Sequence, residues 1–222
     1  MAQIFPRWSN RIPLAIAASV PIAVAAITFF FWYWGSPKFT DVGYRPAQPV
    51  PFSHKLHAGE MGMDCRYCHN TVERGAMAAI PPTATCMNCH ATGKVLPESP
   101  KLAALRTAVA TETPVHWKRV HMLPDYAYFN HSAHLAAGVG CASCHGRIDQ
   151  MPVVTQNQPL SMGWCLDCHR NPTPNLRPLD RITDMAWDQS DAKKSYDPAS
   201  DPHRARKADT LQPPQHCSGC HR

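Results

Sequence analysis

No cysteine of this chain is spare. All ten fall in five copies of Cys-x-x-Cys-His, at Cys65–His69, Cys86–His90, Cys141–His145, Cys165–His169 and Cys217–His221. A disulfide framework has no need of a histidine after every second cysteine, so that class is excluded. Structural zinc ribbons pair their knuckles, and an odd number of copies would leave one without a partner. Charge is missing in one place as well, since Ile12 to Trp34 carries no charged side chain. No nucleophile or acid–base pair occurs at a spacing that demands a reaction of its own.

What remains is the chemistry of the motif itself. Each copy offers two thiols for thioether bonds to the vinyl groups of a haem, and its histidine reaches under the ring to give the iron a proximal imidazole. The expectation is a pentahaem cytochrome c. Five covalent haem c groups are held by Cys65, Cys68, Cys86, Cys89, Cys141, Cys144, Cys165, Cys168, Cys217 and Cys220, with His69, His90, His145, His169 and His221 as proximal ligands. Residues 35–222 then leave under about forty residues for each ring, too few for an ordinary core. Proline, at 22 of 222 residues, is about twice its usual share. The fold class expected is mainly α and irregular, wrapped around the haems, with little or no sheet: two dihaem modules, a C-terminal haem and one N-terminal transmembrane helix.

The formal charge of +6 needs correction before use. With about one negative charge per ferric ring and two per ferrous ring, the loaded protein lies near +1 oxidised and about −4 reduced, so no nucleic-acid partner is implied. The swing implies proton uptake linked to reduction.

At about 1.5 Å per residue the charge-free stretch spans roughly 34 Å, enough for a hydrocarbon core of about 30 Å. A cleaved signal needs only about 7–15 apolar residues, and Ala15 and Ala17 give a weak cleavage-like pattern. The stretch runs past them into Phe29, Phe30, Phe31, Trp32, Tyr33 and Trp34, an aromatic cluster suited to a membrane interface, which favours a retained span. Arg7 and Arg11 are the charges ahead of it, placing the tail in the cytoplasm by the positive-inside rule. The domains read as a cytoplasmic tail over 1–11, a single span of the inner membrane over 12–34, and a periplasmic haem domain over 35–222. Pro13 and Pro21 fall inside the span, where neighbouring helices would explain them.

An internal repeat organises the middle. Phe52-Ser-His54-Lys-Leu-His57 precedes the first two motifs, and Phe129-Asn-His131-Ser-Ala-His134 precedes the next two. This gives modules over 52–90 and 129–169, with an arm and fifth haem over 170–222. Two histidines at i and i+3 project from one face of a helical turn, so His54, His57, His131 and His134 are the expected distal ligands. One iron still needs a sixth ligand. His121 and Met162 are the candidates, with Met151 behind them and His116, His203 and His216 weaker; methionine would raise that haem's potential, and an open iron is a further alternative. Between the modules, Leu102, Leu105 and Val109 recur at helical spacing within 101–112, predicting a short amphipathic helix over the first module. The polar, proline-punctuated stretch from Arg170 to Gln215 reads as a flexible linker or as an arm laid on a partner, and Trp187 and Tyr196 favour the arm.

The N-terminal Ala2-Gln-Ile-Phe-Pro-Arg-Trp-Ser-Asn, the two Phe-x-His-x-x-His repeats, Arg119-Val-His-Met-Leu-Pro-Asp-Tyr-Ala-Tyr-Phe-Asn-His and Met162-Gly-Trp-Cys-Leu-Asp-Cys-His-Arg carry a resemblance. Over most of the chain it resembles the membrane-anchored pentahaem cytochrome of bacterial alternative complex III. That resemblance implies an electron-transfer component of a membrane complex that oxidises menaquinol or ubiquinol. Its implied partners are an iron–sulfur subunit similar to molybdopterin enzymes, polytopic quinol-binding subunits and a monohaem cytochrome c. The implied acceptor is a periplasmic cytochrome c, a blue copper protein or an oxidase. By resemblance to small multihaem cytochromes, the first histidine of each pair serves the nearest downstream haem and the second a different one. Two rivals differ in class: a stand-alone anchored quinol dehydrogenase, and a multihaem reductase of nitrite or hydroxylamine with an open iron.

Overall fold

The computed structural model describes residues 4–187 and 211–221 and divides between Val42 and Gly43 into two units. In the first unit a 3-10 turn over Arg7–Arg11 leads into α1, Ile12–Trp34, the stretch predicted as a span. Pro13 sits in its first turn, where the missing N–H has no intrahelical partner to lose. Pro21 lies inside and frees the carbonyl one turn earlier. No residue of α1 is buried in its own unit, and it is long and apolar enough to cross a membrane. Its last turns are tied by aromatic pairs four residues apart, Phe29 with Tyr33 at 6.0 Å and Phe30 with Trp34 at 5.0 Å. The short α2, Pro37–Thr40, lays Phe39 against Tyr33 and Trp34.

The second unit has no strand among its described residues, only isolated bridges from Ala127 to His221 and from Val139 to Leu176. Its helices are short: a π-helical turn over Lys55–Glu60, α3 (Cys65–Cys68), α4 (Thr83–His90), α5 (Ala103–Ala110), α6 (His131–Ala137), α7 (Cys141–His145), α8 (Met162–Arg170) and α9 (Cys217–Cys220). Local chemistry starts several of them. Asp64 caps α3 through the Arg66 amide at 2.8 Å, Asn130 caps α6 through Ala133 at 3.3 Å, and Ser161 caps α8 through Trp164 at 3.4 Å. Gly138 ends α6 at φ 93°, and its carbonyl takes the Arg177 amide at 2.8 Å.

The polypeptide builds almost no core of its own. Val50, Leu105, Ala108, Val120, Leu135, Leu176, Ile182 and Met185 are its buried hydrophobic residues among those described, and no large side chain is fully enclosed. Helix α5 forms where the sequence predicts one, but its inner face is Leu105 and Ala108, while Val109 is 43% exposed. Leu102 belongs to the preceding 3-10 turn and caps α5, so the stripe counted from it is rotated by the change of helix type.

The stretch after Arg170 departs from the linker reading. Leu176, Arg177, Ile182 and Met185 are buried, and Arg177 Nη1 donates to the Asp184 carbonyl at 2.7 Å. Residues 170–187 are thus a clip folded onto the two modules, with Trp187 half-buried. Tyr196 and His203 of the expected arm lie outside the described residues.

Candidate haem-binding site

Seven histidines are oriented by backbone carbonyls. Nδ1 lies 2.9 Å from the Ser53 oxygen in His57, 2.9 Å from Ala79 in His69, 3.0 Å from Val95 in His90 and 2.8 Å from Ala76 in His131. The corresponding distances are 2.7 Å to Asn130 in His134, 2.7 Å to Pro214 in His169 and 3.1 Å to Tyr126 in His221. A carbonyl only accepts, so each Nδ1 carries the proton and each Nε2 keeps its lone pair for a metal. Four of these seven are proximal candidates; His57, His131 and His134 are distal ones.

Ring spacing completes the picture at two motifs. Two imidazoles bound to one metal from opposite sides, at about 2.0 Å per bond, have ring centres roughly 6.3 Å apart. His57 and His90 are 6.3 Å apart, and His134 and His169 are 6.1 Å apart. The donor set therefore fits iron between each pair. Phe52 stacks on His57 at 4.3 Å and Phe129 lies on His134 at 4.4 Å, so the phenylalanine that opens each repeat holds its second histidine. The first histidine of each repeat meets the same phenylalanine edge-on.

A second group of imidazoles is deeper. His54 Nδ1, His145 Nδ1 and His121 Nε2 are buried without a hydrogen-bond partner. Burial, helped by neighbouring histidines, holds His54 at about 4 and His145 at about 3, and burial lowers His121 too. A neutral imidazole, with one ring nitrogen free of its proton, is what a metal centre requires. His121 packs edge-on against His145 at 4.4 Å, too close for one metal between them. Met162 begins α8 and is 67% exposed, and His216 is the N-cap of α9. The repeat turns differ, since His131 and His134 share the α-helix α6 whereas His54 caps a π-helical turn. Glycine at position 59 lets that turn pack closely on the 148–150 segment, because a Cβ there would strike the Asp149 carbonyl.

The thiols that would take the vinyl groups lie beside one another. The Cys65 and Cys141 thiols are near enough to perturb each other, lowering Cys65 and raising Cys141. Around them, the motifs are fastened by contacts that the sequence pattern does not reveal. Arg66 grips Asp64 through Nε and Nη2, both at 2.9 Å, and Thr183 Oγ1 donates to the same carboxylate at 3.1 Å. The Cys141 amide donates to the Ile182 carbonyl at 3.1 Å. Nothing in the spacing of residues 182 and 183 signals this role, because one of the two links uses only backbone.

A family model described as cytochrome c7 and related cytochrome c matches residues 50–107 and 127–222, more than half of the chain. The chain belongs to this family of multihaem cytochromes c. It is also similar to the menaquinone reductase multihaem cytochrome c subunit of Nitratidesulfovibrio vulgaris, with 30% identity over 179 residues, covering 71% of this chain and 83% of that protein. It is therefore an electron-transfer protein whose haem c is covalently bound.

Proposed function

We propose that this chain is the pentahaem electron-transfer subunit of a membrane quinol-oxidising complex of the alternative complex III kind. The observation that carries the reading is the joining, in one chain, of an N-terminal apolar helix to five attachment motifs, two of which already hold paired imidazoles at metal-bridging distance. The relative's name, a cytochrome subunit of a menaquinone reductase, supports a quinone-linked complex.

In this reading the ten motif cysteines anchor five rings, and His69, His90, His145, His169 and His221 are proximal ligands. His57 would hold the same iron as His90, and His134 the same iron as His169. By the resemblance to small multihaem cytochromes, His54 and His131 would serve the nearest downstream haems, those held by His69 and His145. His121 and Met162 are the candidates for the fifth iron. Haems held there would supply one-electron transfer, with potentials set by the ligating side chains and burial. The protein's own part is to fix tautomers through backbone carbonyls, keep imidazoles neutral by burial, and exclude water with Phe52 and Phe129. Helix α1 anchors the chain in the inner membrane with residues 35–222 in the periplasm. The remaining subunits would be the iron–sulfur, polytopic and monohaem partners, and the acceptor a periplasmic cytochrome c, a copper protein or an oxidase.

Purification under mild detergent with a tag on this chain tests the reading. Co-purifying iron–sulfur and polytopic subunits, with haem reduction on adding quinol, are the expected result. A lone chain oxidising quinol unaided would overturn it in favour of a stand-alone dehydrogenase. High-spin haem that shifts with nitrite would favour the reductase. The relative's name also favours a complex working towards quinone; haems that remain oxidised with quinol but pass electrons from a periplasmic donor to menaquinone would select that direction.

A further inference from the structure

The two repeats clasp each other reciprocally. The Lys55 amide donates to the Met151 carbonyl at 3.0 Å, and the Ser132 amide donates to the Gly75 carbonyl at 3.2 Å. Lys55 and Ser132 hold the same place in their repeats, directly after His54 and His131. Met151 and Gly75 likewise lie the same number of positions beyond His145 and His69. Such matching is the mark of a pseudo-twofold relation between the modules. It brings the first motif of one module, Cys65–His69, beside the first motif of the other, Cys141–His145. The clip reinforces that junction from outside, with Thr183 on Asp64 and Ile182 on Cys141.

The other junctions follow from hydrogen bonds. Asn88 Nδ2 donates to Tyr67 Oη at 3.0 Å, joining the motif at 86–90 to that at 65–69. The bridge from Val139 to Leu176, the Arg177 amide on the Gly138 carbonyl and the 3.5 Å contact of Asn175 Nδ2 with Cys168 Sγ tie 141–145 to 165–169. His169 Nδ1 donates to the Pro214 carbonyl, and Gln215 Nε2 donates to the His169 carbonyl at 3.5 Å, fastening α9 to α8.

We propose that the five attachment motifs stand in single file in the order Cys86–His90, Cys65–His69, Cys141–His145, Cys165–His169 and Cys217–His221, with the first two reversed relative to the chain. The inference rests on reading all five as haem sites and deepens the function proposed above. Its consequence is that electrons enter and leave at the Cys86–His90 and Cys217–His221 ends. The Cys65 and Cys141 motifs form the interior.

A density map of the complete loaded protein, in its complex or in detergent, tests the order directly through iron positions. Expected are nearest-neighbour irons at Cys65–His69 and Cys141–His145, with the Cys86–His90 and Cys217–His221 irons farthest apart. An iron at Cys86–His90 nearer to Cys141–His145 than that at Cys65–His69, or a Cys217–His221 iron beside Cys65–His69, overturns it. A double variant, Cys217→Ser with Cys220→Ser, gives a spectroscopic arm. Loss of the end ring should move the midpoint potential of the Cys165–His169 haem alone, and a shift confined to the Cys65–His69 haem contradicts the order. Co-purification decides the functional reading and iron positions decide this one, so the two can fail separately.

Discussion

His57 and His90 face each other across 6.3 Å with their ring planes 65° apart, while the equivalent pair in the second repeat, His134 and His169, stands at 6.1 Å and 36°. The same sequence pattern thus gives two histidine pairs of one spacing but different mutual twist. The π-helical turn after His54, in place of the α-helix that carries His134, is where the two repeats diverge.

That difference gives a spectroscopic prediction. His57→Ala should convert one low-spin iron to high-spin and remove the more axial of two low-spin signals in electron paramagnetic resonance. His134→Ala should remove the more rhombic one. Both variants should retain the haem load of the parent by intact mass. Unchanged spectra in both would take these residues off the ligand list.

Asp64 allows a prediction about acid. Hydrogen bonds from the Arg66 side chain, against opposing burial, hold its carboxyl at about 2. A depressed carboxylate stabilises the fold fully above its unfolded value, near 4, and the gain is lost as pH falls towards about 2. The pair is well exposed, so solvent screening leaves only about 1 kcal/mol. Asp64→Asn, which keeps a capping side chain, should flatten the acid-denaturation profile between about pH 4 and 2. A profile as steep as the parent's, followed by Soret circular dichroism, would contradict this account.

Gly138 offers a packing prediction. Its φ of 93° and the Arg177 carbonyl oxygen 2.9 Å from where a Cβ would stand both penalise a side chain. Gly138→Ala should destabilise by about 1–3 kcal/mol, measured by denaturant unfolding of the loaded protein. Loss of the Cys165–His169 neighbourhood from the map of that variant is not expected, because Asn175 still reaches Cys168. A stability equal to the parent's would remove this role from Gly138.

Removal of α1 tests the anchor. A chain beginning at Gly35 behind a cleavable export signal should be recovered without detergent, with its haem absorption unchanged. Continued membrane sedimentation of that chain, washed of partners at high salt, would show that α1 is not what holds it.

Sequence alone determined the chemistry and the local scaffold. Attachment demands cysteines and histidine at a fixed short spacing, and a span demands a charge-free run, so Cys65–His69 and the candidate span Ile12–Trp34 are legible without coordinates. The repeat of Phe52 and Phe129 exposes the histidine pairs for the same reason, since helical periodicity is a local property. The inner face of α5 escapes simple periodicity because a 3-10 turn rotates the register. The clip at 170–187 looks like a linker because its polar composition hides four buried residues. Only the tertiary structure decided which motif lies beside which. Carbonyls of Ala79, Val95, Pro214 and Tyr126 hold the histidines, and amides of Lys55 and Ser132 join the repeats. Every residue offers such a carbonyl, and all but proline such an amide, so their partners are chosen by the folded path of the chain and leave no mark in the order of its side chains.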